Sequence, residues 1–386
     1  MKLSPRVFGI LAICAVLSVL AGRVDGRRAV AVERPVLSVY DGGAFLYVDD
    51  VEEEDPNVIK MAPEVKAAVK RGLDWLEQNQ RDDGTWDAGA YSLPVSCMAG
   101  LALASWAGPG RGPKRYQEAI EKLTNFIIDN TDNFGYISYG NSSTALYGDD
   151  RPAYGHAFSL LFLTQIYGMG FTSKEQKGIR EVIIGAVKFI EQHQDPSGCW
   201  YQNYRNGHNV IVTVSHIQAL RAANFAGFRV SKAVVRRALK YNETHVEGDS
   251  SQSRNASYTA VLLAAGEYKG RLLKKGVERV LDDCKKDSTY QLDKISFANF
   301  NHLYASQVCY FMGGTSWQNY YKKLSKWYLA NQMPDGAWPA LGMVHAVMPS
   351  RPYTTAVACL ILQMPNRYLP MYQSVEPGEI GKRLLE

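Results

Sequence analysis

The stretch QMPDGAW, from Gln332 to Trp338, decides the fold, because its outline appears three times along the chain. The earlier copies are QRDDGTW, from Gln80 to Trp86, and QDPSGCW, from Gln194 to Trp200. In every copy a glycine follows the glutamine by four positions, and an aromatic residue precedes the glutamine by five. The glycines are Gly84, Gly198 and Gly336, and the aromatic residues are Trp75, Phe189 and Trp327. A motif with fixed internal spacing indicates a repeated structural unit.

Each copy lies at the end of an amphipathic stretch and ahead of an apolar one. In residues 63–80, Val65, Val69, Leu73 and Leu76 recur at spacings of three and four, which is typical of a helix with one buried face. Residues 91–108 are nearly all small or apolar, so a helix there would be buried on every side. The alternation continues with amphipathic helices at 113–130, 173–193, 231–242, 270–284 and 316–332, and with apolar partners that begin near Tyr154, Asn209, Arg254, Asn299 and Arg351.

This two-layer alternation predicts an all-α protein, an α/α toroid of six helical hairpins over residues 62–373. The apolar helices are expected to form an inner ring and the amphipathic helices an outer ring. In each repeated turn, we expect the glycine to take a positive φ and the tryptophan to fill the gap to a neighbouring hairpin. The glutamine amide is expected to bond to backbone groups left open where the next helix begins.

The ends of the chain differ from this pattern. Residues 1–31 have a basic start, an apolar run and then small residues, which predicts a signal peptide with its cleavage region. We therefore expect an exported protein, periplasmic or secreted, with an uncleaved anchor as the alternative. Residues 32–61 include VDDVEEEDP and are expected to form an acidic linker or arm, and residues 374–386 a C-terminal tail.

Composition excludes several classes of function. The chain has 386 residues, of which 46% are hydrophobic and 21% charged, as in folded globular proteins. A net charge of +5 without a long basic run does not suggest nucleic acid binding. Membrane contact is expected only through the leader or a lipid substrate. Five widely spaced cysteines outside the leader do not form a disulfide framework, although one bridge would be compatible with an oxidising compartment.

The repeated turn resembles the QW motif of squalene–hopene cyclases, and the paired-helix plan is similar to the β subunits of protein prenyltransferases. The resemblance covers about residues 62–370. Stretches such as YGHAFSLLFLTQIYGM, from Tyr154 to Met169, and the ending from Tyr353 to Gln373 also resemble small exported bacterial members of this group. The resemblance implies a toroid, and from its inner ring of small and aromatic residues we expect the central cavity to hold an isoprenoid or another long apolar ligand. No cofactor is expected.

The chemistry of the resembling enzymes directs attention to acidic residues. Class II triterpene cyclases protonate their substrate with an Asp-x-Asp-Asp motif, which is absent from this sequence. The nearest string ends in Asp149 and Asp150, with Tyr147 in place of the first acid. We take Asp149, Asp150 and His156 as candidate catalytic residues. The alternative is that the two acids only favour the start of the next helix through its dipole.

A zinc site of the prenyltransferase type is a second alternative. Those enzymes use an Asp and a Cys two positions apart, together with a later His. Asp282 and Cys284 have this spacing, and His302 or His345 would have to complete the set. A solvated helix end explains the same residues, so no metal is expected.

Polar and aromatic side chains near the starts of the apolar helices are candidate ligand-binding residues. They are Tyr154, His216, Tyr258, His302, Tyr304 and Tyr353. Aromatic faces can stabilise a carbocation or simply pack. Three functions stay open: binding of an apolar ligand, a terpene cyclase or prenyl-transfer enzyme that uses Asp149 and Asp150, and a periplasmic scaffold for a protein partner. A toroid enzyme acting on polysaccharides would need several acids at the inner-helix starts, where they are scarce.

Overall fold

The computed structural model describes residues 37–40, 43–46, 59–107, 112–139, 152–167, 169, 175–202, 210–246, 251–264, 270–295, 297–341 and 350–372. The expected signal peptide, the acidic stretch at 48–56, Asp149, Asp150, His345 and the tail from 374 lie outside these residues.

Twelve α-helices of the described residues alternate between two kinds. The amphipathic helices are α1 (Pro63–Gln78), α3 (Lys114–Asp129), α5 (Glu175–Gln192), α7 (Lys232–Val246), α9 (Arg271–Lys285) and α11 (Gly314–Asn331). The apolar helices are α2 (Ser92–Ala107), α4 (Pro152–Ile166), α6 (Val210–Phe225), α8 (Gln252–Ala264), α10 (Ala298–Met312) and α12 (Arg351–Leu362). Short 3-10 helices cover Gly89–Tyr91, Asp287–Tyr290, Leu292–Lys294, Met364–Asn366 and Pro370–Tyr372.

The even-numbered helices form a closed inner ring. Each packs against the next, from α2 through α4, α6, α8 and α10 to α12, and α12 packs back against α2. Each outer helix packs against the inner helix that precedes it in the chain, and α1 packs against α12. The predicted α/α toroid of six hairpins is therefore confirmed, with its first helix lying on its last hairpin.

The inner helices can be covered on all sides because of their composition. Within the bounds given above they contain no aspartate, glutamate or lysine. Small residues allow the close approach that a double-layered wall requires. At Gly100 in α2, a β-carbon would lie 2.6 Å from the Leu123 side chain in α3 and 2.7 Å from the Phe162 ring in α4. A larger residue there would separate three helices.

The three repeated turns connect neighbouring hairpins through their glutamines. Each side-chain amide donates to the carbonyl of the glycine four positions later and to a carbonyl in the next outer helix. These second acceptors are Ala119 in α3, Val234 in α7 and Ala68 in α1, at 2.8, 2.9 and 2.8 Å. The bonds thus join outer helix to outer helix, whereas we expected them at the start of the inner helix. The third turn joins the end of the ring to its beginning.

The tryptophans of these turns join the outer ring to the inner ring. Each indole Nε1 donates to a carbonyl ten positions earlier in the outer helix, at 2.7 to 2.8 Å. Each tryptophan backbone N–H donates to a hydroxyl of the following inner helix, namely Ser96, Thr213 or Thr355. All three indoles are fully buried. Each tryptophan thus joins the outer helix before its turn to the inner helix after it, whereas the predicted filling of a gap to a neighbouring hairpin stays a prediction.

Two strands lie in the segment for which we expect a linker. Strand β1 (Leu37–Tyr40) pairs antiparallel with β2 (Gly43–Leu46), with Leu37 opposite Leu46. The sequence Asp41-Gly42 between them is typical of a two-residue hairpin turn, a signal that the acidic composition of the segment obscured. No helix in the described ranges is both long and apolar enough to cross a membrane.

Candidate functional site

The side chains that line the axis of the ring recur at helical spacing. Narrow voids at the centre are bounded by residues of α2, α4, α6, α10 and α12, including Phe158, Leu161, Gln165, Gln307 and Phe311. In both α4 and α10 the lining positions are separated by three or four residues, so they share one helix face. Extending the pattern toward the helix starts adds Tyr154 in α4 and Phe300 with Tyr304 in α10, and these residues face the same axis.

Aromatic side chains collect where the inner helices begin. Tyr91 and Tyr154 have ring centroids 6.2 Å apart, and Phe300 and Tyr304 have centroids 4.8 Å apart. Tyr353, in the first turn of α12, lies close enough to Tyr154 and Tyr304 for their phenols to contribute to the rise of its pKa. We call these five residues the aromatic mouth. Burial raises the pKa of Tyr304 and of Tyr353, so both phenols are neutral at physiological pH.

Two buried glutamines lie deeper along the axis. Gln218 of α6 donates through Nε2 to Gln307 Oε1 of α10 at 3.3 Å, and it accepts from the Tyr304 hydroxyl at 3.1 Å. Gln307 donates in turn to the carbonyl of Leu303 at 2.9 Å. The voids beside them measure about 20 and 30 Å³, which is about the room that one water molecule needs. Side chains of the described residues therefore leave little open space beside the two glutamines.

The segment after α12 closes the ring at the C-terminal ends of the inner helices. The backbone N–H of Met371 donates to Gln165 Oε1 in the last turn of α4, at 2.8 Å. The Tyr310 hydroxyl donates to the carbonyl of Tyr372 at 3.2 Å. Leu369 and Tyr372 are buried. Within the described part of the chain, residues 369–372 therefore cover the axis at this end.

His156 lies between the two rings. Its Nδ1 accepts the backbone N–H of Ile137 at 3.1 Å, and its Nε2 faces the carbonyl of Ala186 in α5 at 3.4 Å. Ile137 follows Gly135, whose φ is +86°, in the position that a tryptophan takes in the three full copies of the turn. His156 thus stands where the other hairpins have Ser96, Thr213 or Thr355.

His216 and His302 also contact the outer layer. The imidazole of His216 stacks on Trp200, with centroids 4.9 Å apart, and its Nδ1 donates to the carbonyl of Val212 at 2.8 Å. His302 accepts from the hydroxyl of Tyr320 in α11 at 2.7 Å and donates to the carbonyl of Thr289 at 2.9 Å. Burial lowers the pKa of His216 and of His302 to about 4, and that of His156 to about 3. All three imidazoles are therefore neutral in the fold.

The helix period explains why the candidates separate into two groups. Successive residues of an α-helix differ by about 100°, so two positions apart lie on nearly opposite faces. Tyr154, Phe300 and Tyr353 each precede by two positions a residue that is anchored to the outer layer, His156, His302 and Thr355 respectively. The anchors face outward and the aromatic residues face the axis.

The structure brings together only part of the set that the sequence predicts. Tyr154, Tyr304 and Tyr353 belong to the aromatic mouth, Tyr258 is buried within α8, and the histidines lie between the rings. Tyr91, Phe300, Gln218 and Gln307 were missed. Phe300 could have been identified from the sequence, because it precedes His302 by two positions as Tyr154 precedes His156.

The zinc set does not assemble in the described residues. Asp282 pairs with Lys285 at 2.7 Å, and Cys284 lies beside Cys309, with the two sulfurs 3.5 Å apart. His302 uses both ring nitrogens for Tyr320 and Thr289. Over the parts of the chain that the structure describes, no three metal-binding side chains of His, Cys, Asp or Glu lie together.

Comparison with known proteins gives a likeness in structure only. No family model matches the sequence, and no curated protein sequence matches it significantly. The type II terpene cyclase MstE from Scytonema, in complex with geranylgeranyl dihydroxybenzoate, is 12% identical with a TM-score of 0.51, covering 79% of this chain and 98% of that one. The same cyclase without ligand is 12% identical with a TM-score of 0.52, covering 81% and 100%. A glycosidase in complex with glucose is 12% identical with a TM-score of 0.51, covering 79% and 98%. At this identity the likeness establishes the fold that this chain shares with cyclases and glycosidases, the α/α toroid.

Proposed function

We propose that this chain is an exported toroid protein that binds an isoprenoid or a similar long apolar molecule at the aromatic mouth of its ring. The observation that carries the proposal is the character of the inner wall. The inner helices contain no carboxylate or lysine within their described bounds, and they turn aromatic side chains toward the axis at the end where they begin. Such a wall attracts an apolar chain through the hydrophobic effect.

The closed end gives the ligand a direction. Because the C-terminal segment fills the axis near Gln165 and Tyr310, an apolar chain would lie with one end between the tyrosines of the mouth. The neutral Tyr304 hydroxyl and the two glutamines mark the greatest depth that it could reach. The geranylgeranyl compound bound by the terpene cyclase MstE, a toroid of the same kind, supports a ligand of this class.

Ligand binding can be tested directly. The purified protein is extracted with organic solvent for lipid mass spectrometry, and the emptied protein is titrated with geranylgeraniol. We expect Tyr154→Ala and Tyr353→Ala each to weaken binding about tenfold, the value of one aromatic contact in an apolar site. Phe225→Ala is the matched control, since Phe225 is 41% exposed at the closed end of the ring. Binding that survives both tyrosine changes, or that Phe225→Ala abolishes, contradicts the proposal.

A terpene cyclase or prenyl-transfer enzyme is the second candidate. It is favoured by the sequence position of Asp149 and Asp150, because Asp150 precedes Tyr154 of the aromatic mouth by four positions. Incubation with squalene and with prenyl diphosphates tests it, with Asp149→Asn, Asp150→Asn and His156→Ala as variants. Turnover that Asp149→Asn abolishes while geranylgeraniol binding is retained would favour catalysis. Pure binding predicts no turnover in any variant.

The other toroid functions have less support. Glycoside hydrolysis commonly requires two carboxyl groups on either side of the scissile bond. The described bounds of the six inner helices supply none. A scaffold that binds another protein predicts an empty chamber, so neither lipid extraction nor titration would then reveal a ligand.

A further inference from the structure

Two reduced cysteines lie in contact between α9 and α10. The sulfurs of Cys284 and Cys309 are 3.5 Å apart, and all five cysteines in the described residues are free thiols. Cys284 is half-buried near the end of α9, whereas Cys309 is fully buried in the last turn of α10. The pair therefore has one partner that solvent can reach and one that it cannot.

We propose that Cys284 and Cys309 form a disulfide bond when the protein meets a disulfide oxidant. The bond would tie an outer helix to an inner helix across the only part of this hairpin where two thiols meet within the described residues. A disulfide has its sulfurs about 2.05 Å apart, so the 3.5 Å contact must shorten by roughly 1.5 Å. Cys284 is followed by one residue of α9 and then by two short 3-10 helices, so the shift is needed at a helix end and not in its middle.

The reaction is thiol–disulfide exchange in two steps. The Cys284 thiolate attacks one sulfur of a small disulfide such as oxidised glutathione, forms a mixed disulfide and releases one glutathione thiolate, which takes up the proton lost by Cys284. The Cys309 thiol then gives up its proton as its sulfur attacks the sulfur of Cys284, and the second glutathione leaves as a thiolate that takes up this proton. Two electrons pass to the oxidant, so two protein thiols and one disulfide become one protein disulfide and two thiols.

The surroundings of the pair determine which cysteine reacts first. Burial raises the pKa of the Cys309 thiol well above its usual range, so Cys309 is not the thiol that attacks the oxidant first. The half-buried Cys284 is the thiol that an oxidant reaches. The end of α9 is already held in place, because Tyr290 donates to the Cys284 carbonyl at 2.8 Å.

The remaining described cysteines are placed for packing. The Cys97 sulfur lies 3.5 Å from the Ser159 hydroxyl, and the Cys359 sulfur lies 3.8 Å from the Val69 carbonyl. Both are fully buried, and burial raises the pKa of each thiol. Cys199 contacts the Ser197 hydroxyl at 3.3 Å. Oxidation within the described residues should therefore link one pair only.

Mass spectrometry of the full chain, reduced and then equilibrated with oxidised and reduced glutathione, tests the pairing. We expect a mass lower by two hydrogens and a peptide in which Cys284 is joined to Cys309. Oxidation should raise the melting temperature by about 5 °C, because the bond closes a loop between the two helices. Cys284→Ser should abolish the mass change and the shift, whereas Cys97→Ser, the matched control, should keep both.

Two outcomes overturn the proposal. In the first, both thiols remain alkylatable at an excess of oxidised glutathione. In the second, a stable glutathione adduct accumulates on Cys284 and is not displaced by Cys309. Because Cys284 is half-buried, the serine variant keeps the packing of the ring, and its melting temperature under reducing conditions checks this. None of these readouts depends on whether the protein binds an isoprenoid.

Discussion

Replacing Gly336 by alanine should open the ring where its two ends meet. Gly336 has a φ of +97°, and a β-carbon there would lie 2.6 Å from the carbonyl oxygen of Arg71 in α1. An L-residue in a left-handed conformation costs about 1–2 kcal/mol. Relief of the collision must move the turn away from α1, which weakens the 2.8 Å bond from Gln332 to the Ala68 carbonyl and costs about 1 kcal/mol more. We expect a total loss of about 2–3 kcal/mol in the free energy of unfolding.

Gly89→Ala separates the two contributions. Gly89 has a φ of +57°, but a β-carbon there would meet no atom within 4 Å. Its replacement should therefore cost only the conformational part, about 1 kcal/mol. Urea unfolding followed by tryptophan fluorescence gives both values. Equal losses for Gly89→Ala and Gly336→Ala would refute the reasoning, because they would show that the contact with α1 adds nothing to closure of the ring.

Three further predictions concern buried polar groups. Stability should fall as the pH drops from about 6.5 towards 4, because the buried histidines stay neutral in the fold while the unfolded chain takes up protons. Each histidine lowers the free energy of unfolding by about 1.4 kcal/mol per pH unit in this range. His216→Gln should therefore make the urea midpoint less dependent on pH between pH 7 and 5. An unchanged dependence would contradict this. Tyr328→Phe should raise the free energy of unfolding by about 1 kcal/mol, since the buried Tyr328 hydroxyl has no hydrogen-bond partner among the described residues. A loss of stability would show that the hydroxyl is satisfied. Gln165→Leu removes the acceptor of the Met371 N–H, so tryptic cleavage at Arg367 should become about fivefold faster. An unchanged rate would mean that this bond does not hold the segment after α12 in place.

The turn residues illustrate what a sequence pattern can and cannot predict. The spacing of glutamine, glycine and tryptophan indicates a repeated turn, and the positive φ of Gly336 follows from local backbone sterics. The second acceptor of Gln332, the carbonyl of Ala68, lies 264 positions away in the chain. No local pattern specifies that partner, and the expected acceptors at the next helix start were wrong.

In the candidate site, too, local sequence patterns predict some features and not others. Aromatic residues at the helix starts are visible in the sequence, and Tyr154, Tyr304 and Tyr353 were identified that way. His156 and His302 were included with them because an apolar helix does not reveal which of its faces meets the axis. Burial on all sides removes the amphipathic signal that would have distinguished the inward face from the outward face.

The sequence by itself determined the hairpins, their number and their two-layer order, because helical periodicity and turn chemistry act between residues a few positions apart. Only the tertiary structure decided which side of each inner helix faces the axis, which histidines serve the contacts between the rings, and that the segment around Met371 closes one end. These features depend on contacts between elements far apart in the chain. Their energies are set by packing in three dimensions, which one-dimensional patterns do not encode.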